Sequence, residues 1–210
     1  MKQKIIFLGD SITDCQRKRD IPSNIGVGYV SIIQAALCQR FGDTYTCINR
    51  GVSGDRAKDL RQHWQERCID NQADIFSLYI GVNDTWRRYD ANDLTPTEAF
   101  EADTRQLLDL TFEGTPAKPA SSILIQPFVL DVPIGTKSHW REEDLDAKAS
   151  VIRTLANEYG TRFLPLQEIL DEAITHLDAE FWAADGVHPT PAGHYLIASE
   201  WLKLMEPLLK

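Results

Sequence analysis

The chain has 210 residues, 43% of them hydrophobic and 25% charged, the balance of an ordinary folded domain and not of a disordered one. That length accommodates one domain with a sizeable core and falls short of two. With 31 acidic residues against 22 basic ones the net charge is −9, which disfavours a phosphate backbone or an anionic lipid surface as partner.

In chain order, Ile5 to Leu8 is a short apolar run that ends in Gly9-Asp10-Ser11, a buried strand entering a loop. The same run is too short for a signal-peptide core, and no later stretch would span a bilayer, so a cytoplasmic protein without membrane partners is expected. Val30, Ile33, Leu37 and Phe41 follow at helical spacing, and Thr44 to Asn49 reads as a second strand. Arg56 to Arg67 reads as one polar-faced helix carrying Leu60 and Trp64. Ala73 to Ile80 is the third strand, and Phe100, Leu107 and Leu110 mark the next helix. Thr111 to Ser122, with Gly114, Pro116 and Pro119, reads as a surface loop before a fourth strand at Ile123 to Gln126. Pro127 to Trp140 is a longer irregular stretch. Leu145, Ala149, Ile152, Ala156 and Tyr159 keep helical period, Phe163 to Leu164 suits a short fifth strand, and Ile197, Trp201 and Leu204 mark a closing helix. Short, continuously apolar strands alternating with helices are the pattern of a parallel sheet covered on both faces. In such sheets ligands bind beyond the carboxyl ends of the strands, so the segments that follow strands carry the function.

Three of those segments hold unusual polar residues: Gly9-Asp10-Ser11-Ile12-Thr13-Asp14, Asn49-Arg50-Gly51-Val52-Ser53-Gly54-Asp55 and Gly81-Val82-Asn83-Asp84. Asp185-Gly186-Val187-His188-Pro189 lies near the C-terminus. A serine hydroxyl is a weak nucleophile until a base takes its proton, and a histidine does so when a carboxylate fixes its tautomer. Asp185 and His188 stand three apart in a glycine-containing turn, a spacing that can bring the carboxylate onto Nδ1 and leave Nε2 for Ser11. An oxyanion needs donors, and Ser11 N–H, Gly54 N–H and the Asn83 side chain supply candidates. Each residue alone has an ordinary explanation: a turn cap, a tight turn, a helix start, a surface pair. Their joint occurrence in chain order is what singles them out.

These four blocks resemble the signature blocks of the GDSL/SGNH hydrolases, with Ile12 where the name-giving motif has leucine. The resemblance spans nearly the whole chain. It implies a flavodoxin-like three-layer α/β/α sandwich, Ser11 as nucleophile, His188 as base, Asp185 as its orienting partner, and Ser11, Gly54 and Asn83 as oxyanion donors. The flanks, including Gly28-Tyr29-Val30, Thr85-Trp86-Arg87 and Ala192-Gly193-His194, are similar to intracellular bacterial acetylxylan esterases of this family. That likeness implies a small acetylated sugar as substrate. Family relatives include oligomers, and nothing in this chain demonstrates an interface.

Trp86, Arg87 and Trp182 are candidate walls of a sugar pocket, each with core or surface packing as the alternative. Asp10, beside the serine, is a further candidate substrate contact, with a turn or cap role as its alternative. No metal is expected, because the histidines lack ligand spacing, and no cofactor is required. Cys15, Cys38, Cys47 and Cys68 are scattered and read as free thiols. The rival readings are a flavodoxin-like flavin carrier, a non-catalytic carbohydrate binder, and a lysophospholipase or thioesterase of the same family. The flavin reading would set a phosphate against Asp10 and Asp14 and leaves Asp185 and His188 without a role.

Overall fold

A computed structural model describes residues 2–133, 137 and 139–209. Five parallel strands, β1 (Gln3–Gly9), β2 (Tyr45–Asn49), β3 (Ile75–Tyr79), β4 (Ile123–Ile125) and β5 (Arg162–Leu164), form one sheet in the order β2-β1-β3-β4-β5. Ile5 of β1 is in register with Cys47 of β2 on one side and Ile75 of β3 on the other.

Side chains alternate across the sheet, which sorts the apolar residues into two cores. Ile5 and Phe7 face one layer with Tyr29, Ile33, Ile125, Ile197 and Trp201. Ile6 and Leu8 face the other with Leu60, Trp64, Phe100, Leu107 and Ile152. The helices divide accordingly. After α1 (Ser11–Asp14), α2 (Tyr29–Phe41) covers the first face. On the second face lie α3 (Ala57–Gln62) and α4 (Trp64–Arg67). After α5 (Val82–Asp90), α6 (Thr97–Gly114) and α7 (Asp146–Tyr159) complete that second layer. Following α8 (Leu166–Ala173) and α9 (Ala179–Trp182), α10 (Pro191–Met205) returns to the first face beside α2. Right-handed crossovers require this split, because strand order runs outward from β1 to β2 and then back past β1 to β3. The crevice opens where the order reverses, between the ends of β1 and β3.

The architecture is the three-layer α/β/α sandwich with a flavodoxin-like strand order that the motif blocks implied, and several local readings need correction. Helix α6 continues through Thr111 to Gly114, which the sequence suggests as loop. Thr111 is buried there, its hydroxyl donating to the Leu107 carbonyl and accepting from Trp64 Nε1. Leu110, taken as a marker of the buried face, is 38% exposed, and Leu108 is the buried neighbour. The single helix expected from Arg56 to Arg67 is two, broken at His63. Of the irregular stretch Pro127 to Trp140, residues 134–136 and 138 lie outside the described residues. Among the described residues no helix is long and apolar enough to cross a membrane.

Candidate active site

Strand β1 delivers Ser11 to the crevice. Asp10 closes the strand and its Oδ1 accepts from Ile12 N at 3.0 Å, capping α1. Ser11 is the first residue of α1, where a backbone N–H has no intrahelical partner. Two tethers fix this turn from the β2 side. Asn49, buried at the end of β2, donates through Nδ2 to the Thr13 carbonyl at 2.6 Å and accepts from Gly51 N at 2.9 Å. Asp14 accepts from both the N–H and the hydroxyl of Ser53, at 3.1 and 2.8 Å. The loop carrying Gly54 is thereby locked to the helix carrying Ser11. Gly54 has φ +90°, a conformation costly for any L side chain, and a Cβ there would meet nothing within 4 Å. The backbone conformation thus favours glycine at this position, and the space a Cβ would occupy is open.

The Asp185 turn builds the other wall. Asp185 Oδ1 accepts from Val187 N at 2.9 Å and His188 N at 2.7 Å, leaving Oδ2 to pair with His188 Nδ1 at 2.7 Å. The turn is possible because Gly186, at φ +83°, passes so close to the Leu130 carbonyl that a Cβ would collide with it. His188 Nε2 lies 2.9 Å from Ser11 Oγ. With Nδ1 protonated against the carboxylate, Nε2 is the free acceptor for the serine proton. Burial opposes ionisation of Asp185, but hydrogen bonds from the His188 side chain and the His188 and Val187 amides outweigh it and hold the carboxyl well below the usual range. The Asp185 bond in turn raises His188 above its ordinary value, against partial burial.

On the β3 side, α5 begins at the strand end and carries Asn83, Trp86 and Arg87. Asn83 is buried, and its Nδ2 donates to the Asp55 carbonyl at 3.1 Å, which fixes the orientation of the amide and leaves one N–H. Arg87 is ion-paired with Asp90 and reaches only 3.5 Å from Asn83 Oδ1, so it leans on the amide from behind. Trp86 stands beside His188, ring centroids 5.7 Å apart. Trp86 packs on Trp140 at 5.4 Å, and Tyr89 stacks on Trp140 at 4.9 Å.

Of the other sequence candidates, Asp10 is 1% exposed and turned inward, where burial pushes its carboxyl up to about 7. So placed, it positions the Ser11 turn and offers no face to a sugar in solvent. Trp182 is half-buried against the first core, its ring against Phe181. Sequence reasoning missed Lys137, whose Nζ donates to the Asp185 carbonyl at 2.7 Å and lies 5.7 Å from the ring centres of both Trp86 and Trp140. His194 is no rival base. It is buried, its Nδ1 accepts from Tyr29 N, its Nε2 faces Cys15 Sγ, and burial pushes it down to about 4. Among the described residues no group of three or more His, Cys, Asp or Glu is arranged to hold a metal ion.

A parallel sheet with a serine at the β1 end, hydrogen-bonded to a histidine that a carboxylate holds, defines a serine hydrolase. More narrowly, the chain belongs to the GDSL-like Lipase/Acylhydrolase family, which it matches over residues 7–196. It is 29% identical over 206 residues to an acetylxylan esterase of Geobacillus stearothermophilus, covering 96% of this chain and 93% of that one. A crystal structure of that esterase superposes with a TM-score of 0.86 at 30% identity, over 97% of this chain and 94% of the other. The structure of a GDSL-like lipase from Parabacteroides merdae superposes with a TM-score of 0.91 at 32% identity, covering 100% and 98% of the two chains. The protein is accordingly an ester-hydrolysing serine hydrolase.

Proposed function

We propose that Ser11, His188 and Asp185 act as a catalytic triad that removes short acyl groups, acetyl above all, from acetylated carbohydrates such as xylo-oligosaccharides. The observation that carries the triad is the unbroken line of hydrogen bonds, Ser11 Oγ to His188 Nε2 at 2.9 Å and His188 Nδ1 to Asp185 Oδ2 at 2.7 Å. Ser11 Oγ attacks the acyl carbon as its proton passes to Nε2. Ser11 N–H, Gly54 N–H and the free Asn83 N–H receive the oxyanion. The imidazolium, stabilised by Asp185, returns the proton to the departing sugar oxygen, and the alcohol leaves. Water then attacks the acyl-enzyme, giving its proton to Nε2, and the carboxylic acid departs as Ser11 is restored.

Two features support the sugar. One is the likeness to an acetylxylan esterase. The other is the half-buried Trp86 ring next to His188, backed by the buried Trp140, since an aromatic face suits the C–H face of a pyranose. The test combines a fluorophosphonate probe with turnover of p-nitrophenyl esters of increasing acyl length and of acetylated xylo-oligosaccharide. Ser11→Ala is expected to abolish labelling and lower turnover by about 10⁴-fold or more. Wild-type labelling in that variant refutes the triad. Long-chain esters or lysophospholipids turned over faster than acetyl esters refute the substrate and leave the triad standing.

A further inference from the structure

A cavity that shares Val52 of the Gly51–Asp55 loop and none of the triad residues has walls rich in arginine. It measures about 380 Å³ and is lined by Arg17, Arg19, Arg50 and Arg67, with Glu66 at one side. That volume falls at the lower end of small-molecule sites, the size of one sugar ring with a substituent. In a chain of net charge −9 such a concentration of guanidinium groups is unexpected, and it is energetically unfavourable: burial, with repulsion from Arg50, Arg19 and Arg67, holds Arg17 below its ordinary value despite Asp14.

Internal ion pairs account for part of the cluster only. Arg19 and Arg17 pair with Asp14, and Arg67 pairs with Asp55. Asp14 is already shared with both donors of Ser53. Arg50 forms no ion pair among the described residues; its two bonds go to the neutral acceptors Asn49 O and Asn71 Oδ1. The Arg17 side chain is 6% exposed, its Nη2 is held by the Gly51 carbonyl, and its buried Nε faces Asp14 Oδ1 at 3.6 Å, beyond hydrogen-bond reach. Four guanidiniums thus face three carboxylates, one of them the exposed Glu66, and N–H donors are left over on Arg17 and Arg50. Surplus guanidinium donors around a ligand-sized cavity match an oxyanion, which they bind in a planar fork.

We propose that this cavity binds an anionic small molecule of monosaccharide size, its phosphate or carboxylate group held by Arg50 and Arg17. The site stands apart from the triad and does not depend on the acetyl-sugar reading. The anion is either a phosphate ester or a sugar acid, and the two sources differ in charge and geometry.

Thermal melts and calorimetric titrations at fixed ionic strength distinguish them, with inorganic phosphate, glucose 6-phosphate and glucuronate as probes and glucose as the neutral control. Saturable binding and a raised melting temperature are expected with inorganic phosphate and at least one of the charged sugars, and none with glucose. Tighter binding of glucose 6-phosphate assigns the phosphate ester, and tighter binding of glucuronate assigns the sugar acid. Arg50→Met is expected to weaken binding about tenfold or more while turnover of p-nitrophenyl acetate holds within about twofold. Arg19→Met, at a half-exposed position, gives a second weakened variant should Arg50→Met not fold. Glu66→Gln removes the opposing charge and is expected to tighten binding. No saturable binding of any charged probe, or unchanged affinity in the folded arginine variants, overturns the site.

Discussion

Asn83 Nδ2 donates to the carbonyl oxygen of Asp55 at 3.1 Å, joining the first turn of α5 to the loop after β2. These are the two segments that carry the proposed outside oxyanion donors, Gly54 and Asn83. The bond fixes the orientation of the amide, so one N–H is spent on the scaffold and the other is left for the oxyanion in the proposed mechanism. Asp55 is itself anchored by Arg67, so the carbonyl that orients Asn83 is not free to drift.

Asn83→Ala is expected to lower kcat on p-nitrophenyl acetate by about 10²–10³-fold with KM little changed, because the donor acts on charge that develops only in the transition state. Asn83→Asp keeps the shape and loses the donor, so it should be no better. Steady-state kinetics on both variants decide this; a kcat within about twofold of wild type removes Asn83 from the oxyanion hole.

In the proposed triad the Asp185–His188 pair sets the pH dependence. His188 accepts the Ser11 proton only when Nε2 is unprotonated, so kcat/KM rises with pH through the His188 pKa. The Asp185 bond raises that pKa, placing the acidic limb above the ordinary histidine value of about 6.5. Asp185→Asn removes the cause of the rise. Its acidic limb is expected at lower pH than wild type, with kcat reduced by about 10³–10⁴-fold through loss of the correct tautomer. A pH–rate profile with an unmoved limb contradicts the assignment of His188 as base.

How much of this was legible in the residues follows from the range of the interactions. Strand ends were readable because buried parallel strands are continuously apolar, as in Ile5 to Leu8, and stop abruptly at polar residues. The Asp185–His188 contact was readable because it spans one turn. Helix α5 was not, since Val82 to Asp90 is short and mostly polar, its apolar stripe comes down to Val82, Trp86 and Tyr89, and only the Asn83-Asp84 start hinted at it. Nor were the tethers Asn49–Thr13, Asp14–Ser53 and Lys137–Asp185, whose partners lie 36, 39 and 48 residues apart. Side chains that meet only through the fold leave no local spacing to read. The stacking of Tyr89 on Trp140 belongs to the same class.

The proposed sugar substrate makes Trp86 the residue at which small esters and sugars should part. Its ring lies against that of His188 and against Trp140. Trp86→Ala is expected to raise KM for acetylated xylo-oligosaccharide by about tenfold, the loss of one aromatic contact, while p-nitrophenyl acetate turnover changes little. Trp86→Phe should recover part of the loss. Equal effects on both substrates would assign Trp86 to support of His188.

Asp84 is the remaining polar group of the Asn83 block, and its contribution to stability runs against its ionisation. The side chain is fully buried, with Oδ2 accepting from Ala57 N at 3.2 Å and Oδ1 unpartnered. Burial pushes its carboxyl up to about 7, opposed by the Ala57 hydrogen bond and the charges of Lys148 and Arg56. The unfolded chain loses this proton near pH 4, whereas the folded chain keeps it to about 7. In that window the folded state binds more protons, so stability falls as pH rises and levels off above 7. Asp10 acts in the same direction over the same window. Asp84→Asn supplies a permanently neutral group of the same shape. Its stability relative to wild type, from urea unfolding, should therefore be more favourable at pH 8 than at pH 5, by on the order of 2 kcal/mol. Parallel stability curves for the two proteins across this range would mean that Asp84 is ionised in the folded state throughout.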